Sequence, residues 1–231
     1  MKLRNVFPIS CFLICVSFIS SVEQFNPGKE RWPVKTSVVS FHPVKEISLH
    51  ELLELPSPLQ KYTKIDREEY QDERMPAEVG KHKLKEGDII TTYGYILLAA
   101  VEQDKNGTDG DYHVQIRLTP DWDDSCFIVE ATYPPFIKRN NALHDSCTKV
   151  REFFDKNILK GRKKVCYGSD DALSPYVKIT GQLFFDAHHL TTAPRGKQNS
   201  VTKEKMKSYT CWELHPIVSI AFARKQQGIY K

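Results

Sequence analysis

Two histidines and two glutamates of this 231-residue chain could carry chemistry together: His113, Glu130, Glu213 and His215. Neutral imidazoles and carboxylates bind Zn²⁺ and other divalent metals, and the same groups can act as general acid and base near neutral pH. They could equally form a ladder of cross-strand hydrogen bonds, worth about 0.2–1 kcal/mol per pair. Both interpretations require a fold that brings distant segments side by side.

The segments that must position these residues have the order strand, strand, strand, helix, strand, strand. This is the element order of an OB-type barrel, so the sequence predicts a mainly β fold: a five-stranded OB-like barrel with one helix between its third and fourth strands. An N-terminal arm precedes the barrel. The predicted strands cover residues 89–102, 112–118, 126–130, 176–185 and 212–222, and the predicted helix covers residues 148–159.

The alignment of the strands can be predicted from their apolar alternation. Pairing the second and third strands so that both apolar sets face inward puts His113 opposite Glu130. In an OB barrel the fifth strand lies parallel beside the third, and aligning their starts puts Ile128 next to Glu213 and Glu130 next to His215. The four candidate residues are therefore expected on one outer face of the barrel.

A second polar cluster is predicted at the end of the fourth strand, where Asp186 and His189 stand. Strand counting at about 3.3 Å per residue places it near the start of the fifth strand, roughly 13 Å from His215. It could join the first cluster only if the following loop folds back.

A binding surface for a small polar or anionic ligand is also predicted. OB barrels usually bind ligands on the face of strands two and three, next to the loops joining strands one to two and four to five. The second of these loops is basic, and Arg117 is predicted to face outward from strand two, so Arg117, Arg195 and Lys197 are candidate ligand contacts. Nucleic acid is not favoured, because this face has no outward aromatic residue and the net charge of the chain is only +4.

The chain ends and composition predict its organisation. Residues 1–21 resemble a signal peptide, with a basic start, an apolar run too short for a comfortable membrane span, and small residues at a cleavage point after Ser21. An uncleaved anchor is the alternative. Residues 22–83 form a proline-rich extension with a short helix near Ser48, residues 84–223 the barrel domain, and residues 224–231 a tail. A secreted or periplasmic protein with no stable membrane span after cleavage is expected.

Export would place the four remaining cysteines in an oxidising compartment, where disulfides are expected. The strand alignment puts Cys126 next to Cys211, which leaves Cys147 and Cys166 for each other. No two cysteines have zinc-knuckle spacing, so a cysteine metal cluster is the weaker alternative.

Several motifs together resemble those of a family of uncharacterised exported bacterial proteins. They are ERWPVKT from Glu30, DGDYH from Asp109, IVE from Ile128, FFDxxH from Phe184 and ELHP from Glu213. The resemblance implies a bacterial source and supports the domain boundaries, but it implies no mechanism. The element order is also similar to that of staphylococcal nuclease, whose spacing of acidic and arginine residues is not found here, so only the topology is similar.

These observations predict an exported binding or interaction module for a small polar or anionic ligand. The alternative is a metal-dependent hydrolase, of the nuclease or phosphoesterase kind, in which the four-residue cluster holds Zn²⁺ or another divalent metal or moves protons. A third interpretation is a structural protein whose proline-rich arm binds a partner. Geometry discriminates, because a site needs side chains that converge, whereas a ladder leaves them paired side by side.

Overall fold

The computed structural model describes residues 31–56, 72–102, 109–120, 125–137, 141–167, 174–186, 196 and 207–224. The described strands are β1 (Val44–Glu46), β2 (Ile89–Val101), β3 (Tyr112–Arg117), β4 (Phe127–Ala131), β5 (Lys164–Cys166), β6 (Tyr176–Phe185) and β7 (Trp212–Phe222). The described helices are α1 (Trp32–Lys35), α2 (Leu49–Leu53) and α3 (Ala142–Phe153), which continues as a π-helical segment (Phe154–Leu159). A 3₁₀ turn spans Pro134–Phe136.

The barrel closes through five strands. β2 pairs antiparallel with both β3 and β6, β3 pairs with β4, β4 runs parallel to β7, and β7 returns antiparallel to β6. The helix lies between the third and fourth of these five strands in chain order. The predicted fold class, a mainly β five-stranded OB-like barrel with one intervening helix, is confirmed.

Inward residues alternate along the strands and fill the barrel with apolar side chains. Val114 and Ile116 of β3 face Val129 and Phe127 of β4, and all four are fully buried in the main core. The helix begins six residues earlier than predicted. The side chain of Asn141 caps it by accepting a hydrogen bond from the Leu143 N–H at 3.0 Å.

The described part of the N-terminal arm, residues 31–56 and 72–83, belongs to this core. The predicted short helix is α2, and Ser48 and Glu51 form its capping box. Its Leu49 packs against Gly94 of β2, where an added Cβ would stand 2.9 Å from the leucine side chain and 3.0 Å from the Arg117 carbonyl oxygen. A residue without a side chain is therefore required at position 94 for the arm to approach the barrel.

The predicted disulfides Cys126–Cys211 and Cys147–Cys166 are wrong, because all four residues are thiols. β4 and β7 begin one residue after Cys126 and Cys211, so their pairing does not extend to the cysteines. The Cys126 N–H instead donates to the carbonyl oxygen of Lys207 at 2.8 Å. Cys147 lies in an apolar cluster with Ile137 and Leu143, whereas Cys166 packs in a different cluster beside β2.

Alkylation without reducing agent should therefore modify all four of these cysteines once the protein is denatured. In the folded protein, Cys147 is expected to react more slowly than the half-buried Cys166. Burial and the nearby Asp111 carboxylate raise the pKa of Cys147 to about 12, which suppresses its reactive thiolate. Peptide mass spectrometry measures both results, and recovery of either predicted bridge as a linked peptide would contradict them.

Several predictions fall on residues that lie outside the described part of the chain. They are the signal segment 1–21, His189, Arg195, Lys197 and most of the tail. Within the described ranges, no helix is both long enough and apolar enough to span a membrane.

Candidate functional site

The structure contains the strand alignment that was predicted to bring the four candidate residues together. His113 pairs with Glu130, and Ile128 pairs with Glu213. The Nδ1 atom of His113 lies 3.0 Å from Glu130 Oε1, and the Nδ1 atom of His215 lies 3.1 Å from Glu130 Oε2. Glu213 Oε1 stands 3.2 Å from the same nitrogen of His215. The structure therefore brings all four residues together, and they converge on Glu130 rather than pairing side by side.

This face of the barrel is covered instead of open to solvent. His113 and Glu130 are 8% and 7% exposed, and His215 is 0% exposed. The arm supplies part of the cover, because the ammonium of Lys35 lies 5.6 Å from the centroid of the Phe184 ring, which is itself 5.6 Å from the imidazole of His215.

Two further carboxylates join the cluster and were missed by the sequence analysis. Asp111 Oδ2 lies 3.2 Å from His215 Nε2, and Glu102 Oε1 lies 3.7 Å from His113 Nδ1. Both stand at the ends of the loop between β2 and β3, whose Asp-Gly-Asp sequence contributed to the sequence analysis only as part of the DGDYH motif. The pairing of Tyr112 with Ala131 was the available signal, because it places residue 111 at the same end of the barrel as Glu130.

The cluster contains two sets of three potential metal ligands. One consists of Asp111, Glu130 and His215, the other of Glu102, His113 and Glu130, and in each set one ligand atom per residue lies within 4.8 Å of the others. Imidazole nitrogen combined with carboxylate oxygen is a donor set that suits Zn²⁺ and neighbouring divalent transition metals. These sets meet the chemical requirement for a metal site, and they share Glu130.

Electrostatics within the cluster is dominated by burial and by contact between opposite charges. Burial alone would raise the pKa of Glu130, but hydrogen bonds to His113 and His215 hold it well below its usual value. Burial alone would lower the pKa of His215, but contacts with Asp111, Glu130 and Glu213 hold it well above its usual value. These carboxylate contacts therefore favour the protonated form of His215.

The carboxylates of the cluster also shift the pKa values of two neighbouring groups. Burial, followed by repulsion from Asp111 and Glu130, raises the pKa of Asp109 to about 7. The pKa of Lys35 is also raised, because attraction to the surrounding carboxylates outweighs a burial that would lower it. Glu130 makes the first of these attractive contributions, and Asp186, Glu213 and Asp109 follow.

The remaining candidate residues lie outside the four-residue cluster or outside the described part of the chain. The Asp186 N–H donates to the Cys211 carbonyl oxygen at 2.9 Å, so Asp186 lies beside the start of β7 as expected. Its carboxylate acts on Lys35, which links it to the first cluster, while its predicted companion His189 lies outside the described residues. Arg117 is 0% exposed. The ligand contacts predicted for Arg117, Arg195 and Lys197 stay a prediction.

The chain was compared with protein-family models, with curated proteins and with solved structures, and none of these comparisons found a match.

Proposed function

We propose that this protein binds a divalent transition-metal ion of the Zn²⁺ class through Asp111 and His215, in the cluster that also contains Glu130. One observation carries the proposal. Asp111 Oδ2 and His215 Nε2 are completely buried and lie 3.2 Å apart as an ion pair, but neither atom makes a hydrogen bond of good geometry. A buried polar atom that lacks a well-formed hydrogen bond is unfavourable by up to about 1–3 kcal/mol. A cation bound by both atoms would satisfy both at once.

The groups that contact the other side-chain atoms of Asp111 and His215 are arranged as in known metal sites. The Nδ1 atom of His215 lies 3.2 Å from Glu213 Oε1 and 3.1 Å from Glu130 Oε2, which leaves Nε2 directed at Asp111. The backbone N–H of Tyr133 donates to Asp111 Oδ1 at 2.6 Å, which leaves Oδ2 for the ligand. A histidine whose second nitrogen bonds a carboxylate, and a carboxylate held by a backbone donor, are the usual supports of metal ligands.

The charge of the cluster favours the same conclusion. Four carboxylates are buried in the cluster around His215: Asp109, Asp111, Glu130 and Glu213. The one buried ammonium among the described residues of this cluster is that of Lys35. Buried carboxylates that lack a compensating charge are strongly unfavourable. The site therefore favours further positive charge, which a bound metal ion would supply.

This proposal keeps the predicted binding module but replaces its predicted small polar or anionic ligand with a cation. The hydrolase alternative is less well supported at this position, because Asp111 and His215 are 0% exposed and no face of the set is open to a substrate. We retain from the sequence the proposal that the protein is exported and bacterial, on the leader-like residues 1–21 and the resemblance described above.

The replacement Asp111→Asn tests the site with little disturbance to the fold. The asparagine oxygen can still accept from the Tyr133 N–H, and only the ligand oxygen is lost. We expect the Zn²⁺ affinity, measured by titration against a competing chelator, to fall on the order of 100-fold or more. The affinity of the original protein should also fall as the pH is lowered, because protons compete for the ligands.

The matched control is Asp145→Asn, which makes the same chemical change at an exposed residue in the first turn of α3. It should leave the affinity unchanged. If the original protein binds no divalent metal under chelator competition, or if Asp111→Asn binds as tightly as it does, the cluster is only a buried network of hydrogen bonds and ion pairs.

A further inference from the structure

We propose that the hydroxyl group of Thr132 is a third protein ligand of the ion that Asp111 and His215 bind. This inference rests on the proposed function and deepens it, because it adds a neutral oxygen donor to the carboxylate and the imidazole. Its basis is the surroundings of one atom. Thr132 is 0% exposed, and its Oγ1 atom is completely buried without a hydrogen-bond partner.

The strand alignment places Thr132 at the same end and on the same face of the barrel as Asp111. Tyr112 of β3 pairs with Ala131 of β4, so Asp111 and Thr132 are the next residues outward along these two strands. Side chains alternate between the two faces of a strand. Since Ala131 belongs to the inner core, Glu130 and Thr132 face outward, toward the cluster.

The backbone beside Thr132 holds the carboxylate of the proposed site. The N–H of Tyr133, the next residue, donates to Asp111 Oδ1 at 2.6 Å, so this carboxylate lies against the peptide that joins Thr132 to Tyr133. The other oxygen, Asp111 Oδ2, is 3.2 Å from His215 Nε2. Three completely buried polar atoms therefore stand at this end of the barrel, and none of them makes a well-formed hydrogen bond with any residue that the structure describes: Asp111 Oδ2, His215 Nε2 and Thr132 Oγ1.

A cation at this position would use all three atoms. A threonine hydroxyl presents two lone pairs to a ligand, and its oxygen is a neutral donor. Oxygen donors combined with an imidazole suit the divalent ions that the carboxylate and the histidine already favour. Because the hydroxyl is neutral, it adds a ligand without adding a further negative charge to the buried carboxylates around His215.

A buried hydroxyl without a partner is not by itself a ligand, as Thr92 of β2 shows. Its Oγ1 atom is also completely buried and unpartnered. Thr92 pairs with Ile179, however, and shares the inner face of β2 with Ile90, so its hydroxyl is placed among apolar residues of the main core. What distinguishes Thr132 is its position beside Asp111, and Thr92 supplies a matched control.

The replacement Thr132→Val tests the ligand, because valine keeps the shape of threonine and lacks only the hydroxyl oxygen. We expect the Zn²⁺ affinity of the full-length protein, measured by chelator competition, to fall about tenfold or more. Thr132→Ser keeps a hydroxyl and should retain most of the affinity. Thr92→Val makes the same chemical change at the other unpartnered hydroxyl and should leave the affinity unchanged.

Co²⁺ bound in place of Zn²⁺ distinguishes a ligand from a residue that only supports the fold. The visible absorption of Co²⁺ depends on the number and type of its ligands, so Thr132→Val should alter the spectrum and Thr92→Val should not. The melting temperature of metal-free Thr132→Val should be equal to or higher than that of the original protein, because an unpartnered buried hydroxyl has been removed. The increase in melting temperature on adding Zn²⁺ should be smaller.

The possible outcomes separate this inference from the proposed function. Unchanged Zn²⁺ affinity and an unchanged Co²⁺ spectrum in Thr132→Val, together with a loss of binding in Asp111→Asn, overturn the third ligand and leave the site. Binding by Thr132→Ser as weak as that of Thr132→Val also overturns it, because the effect then follows packing. No bound ion in the original protein overturns both proposals. If circular dichroism shows that Thr132→Val does not fold, Thr132→Ala compared with Thr132→Ser decides, since the two differ only in the hydroxyl oxygen.

Discussion

Replacing Arg31 with methionine is expected to lower the free energy of unfolding by about 3–5 kcal/mol. The guanidinium of Arg31 forms a two-pronged ion pair with Glu86, at 2.6 and 2.7 Å, and both side chains are almost wholly buried. It also donates to the carbonyl oxygens of Phe185 at 2.7 Å and Glu73 at 2.6 Å. Without it, the buried carboxylate of Glu86 loses the cation that is paired with it, and the arm loses its attachment to the end of β6.

Urea denaturation of the original protein and of Arg31→Met measures the difference in their free energies of unfolding. Lys45→Met is the matched control, because Lys45 pairs with Asp88 at 2.7 Å while its side chain is 36% exposed, and its loss should cost no more than about 1 kcal/mol. Adding Glu86→Gln to Arg31→Met should recover part of the lost stability, since the uncompensated charge disappears. A cost for Arg31→Met equal to that of Lys45→Met would show that the buried pair does not hold the arm.

The barrel could be predicted from the sequence because its strands carry strong local patterns. Residues 112–118 and 126–130 alternate so regularly that one alignment alone keeps both apolar sets inside, and that alignment is the one present. β1 and β5 could not be predicted, because three residues are too few to show alternation. Their positions depend on the free edges of β2, which exist only once the barrel has formed.

Only the members of the cluster that follow from the strand alignment could be predicted from the sequence. His113, Glu130, Glu213 and His215 follow from it, but the burial of their face does not. That burial depends on a charged and proline-containing arm, a composition that ordinarily indicates solvated surface. The disulfide prediction was wrong for a related reason. Disulfide formation was inferred from the compartment and the partners from the strand alignment, whereas the predicted partners lie in separate apolar clusters of the folded protein.

The arm and the metal cluster depend on each other through Lys35. The ammonium group enters the cluster from α1, and the carboxylates that attract it most include Glu130 and Glu213, which contact the histidines. A metal ion and the Lys35 ammonium are therefore both drawn to the same negative charge. Each partly satisfies the carboxylates, so each should lower the stabilisation that the other provides.

Replacing Lys35 with methionine should consequently have opposite effects on stability and on metal binding. The metal-free protein is expected to lose on the order of 3 kcal/mol, because buried carboxylates are left with less compensating charge. Zn²⁺ affinity should rise about tenfold or more, since one repulsive cation near the site has been removed and 1.4 kcal/mol corresponds to tenfold. The increase in melting temperature on adding Zn²⁺ should therefore be larger in Lys35→Met than in the original protein.

Thermal denaturation with and without Zn²⁺, together with chelator competition, measures both effects in one preparation. Lys149→Met, an exposed residue of α3, controls for the general loss of one positive charge and should change neither quantity appreciably. A lower Zn²⁺ affinity in Lys35→Met would mean that the ammonium organises the ligands rather than competing with the ion. A loss of stability that Zn²⁺ does not offset would mean that the metal occupies a position remote from the Lys35 carboxylates.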